Sequence, residues 1–416
     1  MTRSAGAAAR TPLHRLRESP IWIAVILATL TIFGPLSMDL YLPVLPSLAA
    51  DLATTTSAAQ LTMTTCLLGL ALGQVIAGPL SDRYGRRVVL LGGLVVYTVA
   101  SLACAFSDSI TLLVVLRLVQ GAAGGFGLVI AQACGRDLYE GPRLNRYNGR
   151  IVVLSGLAAI VAPVIGGVLA AYVAWQGFFV LLAAFGLVIT LAVAVSFRET
   201  LPVERRVTGG AGHTLAHLAV LARDRRFVGA TLASSLTSAT YFAYLAAAPF
   251  VLQDLYGLSP AQYALVIAVN AAGFAAFGFT AGRAAERWGE RTVFATGIAI
   301  VIAGAAVLAA TATAPPPLAV MVGAFLLIAA GAAAVSPPST TMALTDYPAF
   351  AGTASSVLGL SRFVAGAAAA PLVGLAGPLS TTPLAAVALA TGLASAVVFT
   401  LLLVRGRAPR PSSGAR

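Results

Sequence analysis

The sequence predicts an all-α membrane protein of twelve transmembrane helices arranged as two related halves of six, and three observations carry that prediction. Of the 416 residues, 59% are apolar and only 10% charged, whereas a water-soluble domain carries about a quarter charged residues. Twelve helices of about 20 apolar residues each would absorb nearly all of that apolar content. All 26 basic residues are arginine, and outside the spans they fall on one side of the chain's path. A loop pattern in the first half also returns at the matching place in the second. The net charge of +12 therefore reads as an orientation signal, not as a nucleic-acid surface.

The elements follow in order. Residues 1–20 form a polar tail with Arg3, Arg10, Arg15 and Arg17. The apolar run behind it is too long for the core of a cleaved leader, so it is read as the first span, 21–45. The second span, 60–80, stops at the charged Asp82-Arg83 pair, and the third, 88–106, lies between Arg87 and Asp108. The fourth, 110–134, is interrupted only by Arg117. The fifth, 151–173, begins after Arg150, and the sixth, 177–196, ends at Arg198-Glu199. A polar linker, 197–226, with Arg205-Arg206 and Gly209-Gly210, separates the bundle 21–196 from a second bundle, 227–404. Spans 227–252, 261–281, 292–312, 318–343, 350–375 and 383–404 complete that bundle, and 405–416 is a polar tail. Each span is a run of about 19 or more mostly apolar residues.

With twelve spans, the two tails and the segments 81–87, 135–150, 197–226 and 282–291 share one side and hold every arginine except Arg117 and Arg362. The opposite loops carry only acids, Asp51, Asp108 and Asp254. The positive-inside rule then places both termini in the cytoplasm; an odd number of spans would destroy the sorting. Cys66, Cys104 and Cys134 lie in or at the end of apolar runs without metal spacing and are read as buried thiols. His14, His213 and His217 lie outside the spans, so no metal site and no histidine base is expected within the membrane. Trp22, Trp175 and Trp288 are assigned to the interfacial belt.

The repeat is Gly78–Arg87 (GPLSDRYGRR) and Gly282–Arg291 (GRAAERWGER), each following the second span of its half. A repeat in register with the topology implies two bundles related by a pseudo-two-fold axis along the membrane normal, which is a carrier architecture. The first copy resembles the loop signature of the major facilitator superfamily, and the resemblance covers nearly the whole chain. Arg117-Leu-Val-Gln120-Gly121 in the fourth span matches it further. Gly156 and Ala162-Pro163-Val-Ile-Gly166-Gly167 in the fifth are similar to the motif of drug and proton antiporters, with Ala162 where glycine is usual. Asp39-Leu-Tyr41-Leu-Pro43-Val-Leu-Pro46, Arg136-Asp137-Leu-Tyr139 and Tyr244 through Gln253 resemble the bicyclomycin and chloramphenicol resistance (Bcr/CflA) branch. That resemblance implies a bacterial inner-membrane carrier, monomeric, energised by a proton gradient without a cofactor or metal, whose partners are protons, a small drug and the lipid bilayer.

Asp39 is the one acid within a predicted span. An ionised carboxylate in hydrocarbon is costly, which makes Asp39 the candidate proton carrier facing a cavity; it also lies about 9 Å beyond the middle of its helix at 1.5 Å per residue, where a hydrated carboxylate at the mouth is the alternative. Gly34-Pro35 should kink this helix. Arg117 lies too deep for snorkelling and needs a partner. The resemblance assigns it to organising the proton path, with Gln120 one turn on, and a clamp onto backbone carbonyls is the alternative. Arg362 either serves the carrier or snorkels toward the cytoplasm, and the resemblance supplies no role for it. In the loop, Gly78 would admit a neighbouring helix, and Asp82 with Arg86 can hold an ion pair that also reaches Asp137. The resemblance implies that Asp82, Arg83, Gly85 and Arg86 with Asp137 form a conformational latch that locks the cytoplasmic side in the outward-open state, with Asp82 favouring the N-terminus of the eleventh span; a plain orientation signal with turn glycines is the alternative. Glu286, Arg287 and Arg291 would form a weaker second latch. Gly156, Pro163, Gly166 and Gly167 shape the fifth span, and Gly69, Gly73, Gly121 and Gly125 allow close packing. Tyr41, Gln120, Tyr241, Tyr244 and Asn270, polar or aromatic groups on apolar helices, are the expected lining of a drug pocket.

The function that follows is a proton-coupled exporter of small amphiphilic antibiotics resembling chloramphenicol or bicyclomycin. A metabolite exporter or uptake carrier is the alternative of the same fold, and a channel or membrane enzyme one of another class. No Walker loop, zinc-protease motif or nucleophilic triad is present, so intrinsic ATP-driven transport is excluded and catalysis has no visible residues.

Overall fold

The computed structural model describes residues 20–139, 141–206, 212–311, 316–347, 351–375 and 380–404, and among these the only regular structure is helical. The N-tail up to residue 19, with its arginines and His14, and the C-tail 405–416 lie outside the described residues. The helices are α1 (Pro20–Asp39), α2 (Leu45–Asp51), α3 (Thr56–Tyr84), α4 (Arg86–Ala105), α5 (Ile110–Leu138), α6 (Gly141–Leu169) and α7 (Trp175–Ser196) in the first half. Then come α8 (Gly212–Arg223), α9 (Arg225–Phe250), α10 (Pro260–Trp288), α11 (Glu290–Ala310), α12 (Leu318–Leu344), α13 (Ala351–Ala369) and α14 (Thr382–Val398). Eleven helices among the described residues are long and apolar enough to cross a membrane, and α6 adds a shorter apolar stretch, Val153–Leu169.

The same partners pack in both halves. In the first, α3 lies on α5, α4 on α7 and α1 on α6; in the second, α10 lies on α12, α11 on α14 and α9 on α13. Two further pairs, α6 with α10 and α3 with α13, join the halves, and they too exchange under the same pseudo-two-fold. Between helices that share an apolar solvent, close backbone approach drives association. A Cβ on Gly69, Gly73, Gly121 or Gly125 would run into the carbonyl oxygens of Leu118, Ala122, Cys66 or Leu70, so the α3–α5 pair depends on all four lacking a side chain.

The halves are not joined evenly along their length. The largest buried apolar cluster contains residues of both, from Tyr41, Leu42 and Trp175 to Tyr244, Phe250 and Tyr263, at the arginine-poor end. At the arginine-rich end each half keeps its own core, one around Leu90, Ile130 and Tyr147 and one around Phe227, Phe294 and Leu403. The three hydrogen bonds described between the halves all belong to the arginine-poor end. Ser57 Oγ donates to the Pro371 carbonyl (2.8 Å), Gln60 Nε2 to that of Ala246 (3.0 Å) and Gln253 Nε2 to that of Pro43 (3.0 Å).

Several expectations are corrected. The helix of the first span runs past Gly34-Pro35 to Asp39, and the break falls after it, into a 3-10 turn at Leu42–Val44 and then α2. Pro43 and Pro46 lack donors and restrict the residues before them, which is why the chain turns there. The arginine-rich segments are helical almost throughout: α3 reaches Tyr84 and α4 restarts at Arg86, while α10 reaches Trp288 and α11 restarts at Glu290. Hydropathy marks only the apolar part of each helix. The linker also holds α8, whose Leu215, Leu218 and Leu221 recur at three-residue spacing, with Leu221 buried. Trp175 is buried and donates to Asp51 Oδ2 (3.1 Å), so it joins a core and not the belt, whereas Trp288 is exposed. The three cysteines are free and buried.

Candidate functional site

Two constellations of polar groups lie within the spans, one inside the first half and one at its seam with the second. One is sealed. Arg117 on α5 is fully buried and donates from Nη1 to Gln120 Oε1 (2.6 Å), from Nη2 to the Ser37 carbonyl (3.0 Å) and from Nε to the Thr62 carbonyl (3.2 Å). Its guanidinium also lies over the rings of Tyr41 (4.4 Å) and Phe179 (5.6 Å), a placement that attracts a cation to the face of the π-system. Gln120 passes the chain on by donating to Ser101 Oγ (2.7 Å), while Ser37 shares a hydrogen bond with the Tyr97 hydroxyl (2.6 Å) and Tyr41 with Thr62 (3.0 Å). Carbonyls, an amide and two aromatic faces therefore neutralise Arg117, with no carboxylate among them. Tyr41 and Gln120, expected in the pocket lining, belong to this clamp across α1, α3 and α5.

The other constellation is open to the seam. Asp39, at the last turn of α1 where the chain breaks, lines a small pocket of about 20 Å³ with Ala159 of α6 and with Tyr241, Tyr244 and Asn270 of the second half. Among the described residues no hydrogen bond or ion pair reaches its carboxylate. Asn270 donates from Nδ2 to the Val266 carbonyl (3.1 Å), yet its Oδ1 is buried without a donor, and the Tyr263 hydroxyl nearby is likewise buried and unpaired. A buried acceptor without a donor costs about 1–3 kcal/mol, so the Asn270 Oδ1 leaves unmet hydrogen-bonding capacity in a pocket that already holds a carboxylate. Tyr241, Tyr244 and Asn270 thus meet Asp39 at one place, as four polar side chains on otherwise apolar helices.

Tyr241 is shared with a second cavity, of about 220 Å³, inside the second half. Phe242, Phe274 and Phe363 form aromatic walls, with Tyr241 stacked 5.0 Å from Phe274 and Phe242 6.0 Å from Phe363. Arg362 of α13 lies on the cavity wall among the hydroxyls of Ser234, Ser336, Ser339 and Thr340. It points into the bundle, not along the membrane surface as a snorkelling arginine would.

At the arginine-rich end, Arg86 bridges two acids, Nη1 to Asp82 Oδ1 (2.6 Å) and Nε to Asp137 Oδ2 (3.1 Å). Asp82 is spent on Arg86, and Arg83 lies over the Tyr84 ring at 5.2 Å. Sequence reasoning missed the rest of this cluster. Glu199, just past the sixth span, accepts from the backbone of Arg86 (2.8 Å) and Arg87 (3.2 Å), placing a carboxylate at the N-terminus of α4 where the helix dipole favours it. Thr200 donates to Asp137 (3.1 Å) and Arg206 lies 3.8 Å from Glu199. Gly85 turns the chain between α3 and α4 with φ +97°, and a Cβ there would strike Glu199 and Arg206. The only available signal was an acid three residues after a span.

The second copy keeps the turn but not the cluster. Gly289 repeats the positive φ, +83°, yet Glu290 stands where Arg86 stands in the first copy, and no ion pair joins Glu286, Arg287 and Arg291 among the described residues. Asp346 at the end of α12 pairs instead with Arg226 (3.0 Å). The glycines of the loop and of the fifth span differ in how closely they are packed. Space beside Gly78 is ordinary, with Val129 at 4.0 Å, and Gly156 has nothing within 4 Å, so neither serves a close approach. Gly166 packs against the Leu40 carbonyl and Gly167 against Ala264 and Pro260 of α10, so the fifth-span motif, with Pro163 inside α6, forms part of the seam.

Comparisons with known proteins agree with this architecture. The family model of the Major Facilitator Superfamily matches residues 22–371 and, overlapping it, 230–415. An uncharacterized MFS-type transporter, YdgK, of Bacillus subtilis is 33% identical over 91% of the chain and 94% of its own length. A chloramphenicol resistance protein of Pseudomonas aeruginosa is 33% identical over 68% of the chain and 67% of its own length. A bicyclomycin resistance protein homolog of Haemophilus influenzae is 26% identical over 86% and 90%. Among solved structures, the nucleoside transporter NupG superposes with a TM-score of 0.75 over 92% of the chain and all of its own, at 12% identity, a likeness of fold.

Proposed function

The chain belongs to the major facilitator superfamily, a transporter and not an enzyme, and from that premise we propose that it is a proton-driven antiporter exporting small amphiphilic antibiotics resembling chloramphenicol or bicyclomycin. The observation that carries the reading is Asp39: a carboxylate without hydrogen bond or ion pair among the described residues, at the seam of the two halves, in a pocket with Tyr241, Tyr244 and Asn270. The names of the curated relatives support the drug class.

The positive-inside rule puts the arginine-rich end in the cytoplasm. The seam sealed at the other end is then the periplasmic gate, and the chain is a cytoplasm-facing state of an inner-membrane carrier that works as a monomer. A drug entering from the cytoplasm displaces the proton from Asp39. The halves rock, and a proton from the periplasm reclaims the carboxylate and releases the drug. Arg117 is a positioning residue here: its clamp holds the turns of α1 below Asp39 through Ser37. One positive charge carried inward gains about 2.3 kcal/mol per 100 mV, enough for roughly 50-fold accumulation at 1.4 kcal/mol per decade.

The test is drug accumulation in a pump-deficient bacterial host expressing the wild type or Asp39→Asn, with and without a protonophore. The wild type should lower chloramphenicol or bicyclomycin accumulation, the protonophore should restore it, and Asp39→Asn should match the empty host while inserting normally. An unimpaired Asp39→Asn moves the proton site elsewhere. Failure to move either drug turns the substrate search to metabolites.

A further inference from the structure

The two arginines inside the spans are not equivalent. Arg117 is fully buried, saturated by three hydrogen bonds of 2.6–3.2 Å and two ring faces, and lines no cavity. Arg362 makes one short bond, from Nη2 to Ser339 Oγ (2.7 Å). Its others, to Ser234, Ser336 and Thr340, stretch to 3.4–3.5 Å, where a hydrogen bond has nearly failed. No carboxylate among the described residues pairs with it, and it lines a cavity with aromatic walls. A guanidinium so placed has donor capacity and charge directed at whatever fills that cavity.

Tyr241 borders this cavity and the Asp39 pocket alike. The pair of adjoining spaces is therefore bipolar, with the Asp39 carboxylate in the one at the seam, the Arg362 guanidinium in the one inside the second half and the Tyr241 ring between them. We propose that it binds a dipolar aromatic ligand, its carboxylate or other strong acceptor on Arg362 and its cationic or donor end toward Asp39. The proposal rests on the antiport reading and deepens it. A purely anionic ligand would be repelled by the Asp39 carboxylate and would favour the protonated acid, which has the wrong sign for exchange against protons. A ligand whose cationic end competes with the proton while its anionic end is held elsewhere has the right sign. Such a zwitterion carries no net charge outward, so each proton entering moves one full charge inward.

The test uses para-piperazinylbenzoate and its methyl ester, identical except that the ester has lost the anion. Binding is measured by calorimetry on the full chain purified in detergent, and transport in liposomes with an imposed pH gradient. The wild type should bind the acid about tenfold tighter than the ester, the worth of a charge-assisted contact. Arg362→Gln should lose that preference by weakening the acid alone, and Arg362→Lys should restore part of it. Equal binding of acid and ester by the wild type, absence of binding by either, or an Arg362→Gln variant that weakens both alike would overturn the proposal. Preference for the acid without pH-driven movement would refute antiport and leave the site standing. Pumping of both compounds alike would refute the site and leave antiport standing.

Discussion

If the seam at the arginine-poor end is the gate, a methyl group placed in it should force the halves apart there. Gly374, beyond α13, faces α3 so closely that a Cβ would lie 2.5 Å from Gln60 Oε1, 2.7 Å from Ser57 N and 2.8 Å from Ser57 Cα. Gly167 on α6 faces α10, where a Cβ would meet Ala264 and lie 2.8 Å from the Pro260 carbonyl. Overpacking a fitted contact costs about 1–3 kcal/mol, and the sites belong to separate helix pairs, so their effects should add. Gly167→Ala with Gly374→Ala then penalises the sealed arrangement by about 4 kcal/mol, a shift of roughly 700-fold at 1.4 kcal/mol per decade, and leaves an arrangement open at that end untouched. Spin labels on Asp108→Cys and Ala319→Cys, exposed positions in the two halves at that end, would report it against a background of three buried native thiols. The double variant should move most of the distance distribution to longer values, while Gly156→Ala, with nothing within 4 Å, should not. A lower melting temperature with unchanged distances would refute the reasoning, because the penalty would then be paid in every state.

Three other outcomes follow from the geometry. Arg117→Met strands the Ser37 and Thr62 carbonyls and Gln120 Oε1 and should lower stability by about 3 kcal/mol or more; Arg117→Lys should not rescue it, since an ammonium cannot span three separated acceptors and two rings, and thermal denaturation in detergent reads both. Gly85→Ala should cost more than Gly289→Ala by about 1 kcal/mol, because both sit at positive φ but only Gly85 has Glu199 and Arg206 in the way; equal losses would remove Glu199 from the latch. Glu290→Arg places opposite charges four residues apart with Glu286 and should add about 0.3–0.5 kcal/mol, visible as a small rise in melting temperature and absent in high salt.

The sequence made the spans, the sidedness of the arginines and the repeat legible because each is periodic in hydropathy or charge and needs no tertiary knowledge. Asp39, Tyr241, Tyr244 and Asn270 were legible for a related reason: a polar residue on an apolar helix must face something other than lipid. The same rule could not say what each one faces. Tyr41 and Gln120 satisfy it inside a single half, closing around Arg117, and only the angle of α1 against α3 and α5 separates them from the residues that line the seam. Trp175 looked interfacial by position, but its indole N–H finds Asp51 within the fold. Glu199 was invisible because its partners are main-chain amides 112 and 113 residues away, and a backbone donor leaves no mark in a sequence. Arg362 was seen and left without a role, since the serines around it come from two other helices, α9 and α12.

The two ends of the molecule are held by different kinds of force. The seam closes on apolar packing and on three neutral donors reaching main-chain carbonyls, while Arg86, Asp82, Asp137 and Glu199 cluster at the opposite end as charges, some half-exposed to water. Ions in solution screen the second and hardly touch the first. Ionic strength is therefore a handle on one face alone: raising it should loosen the corner where α3, α4, α5 and the linker meet in the first half while the seam stays shut, without altering a residue.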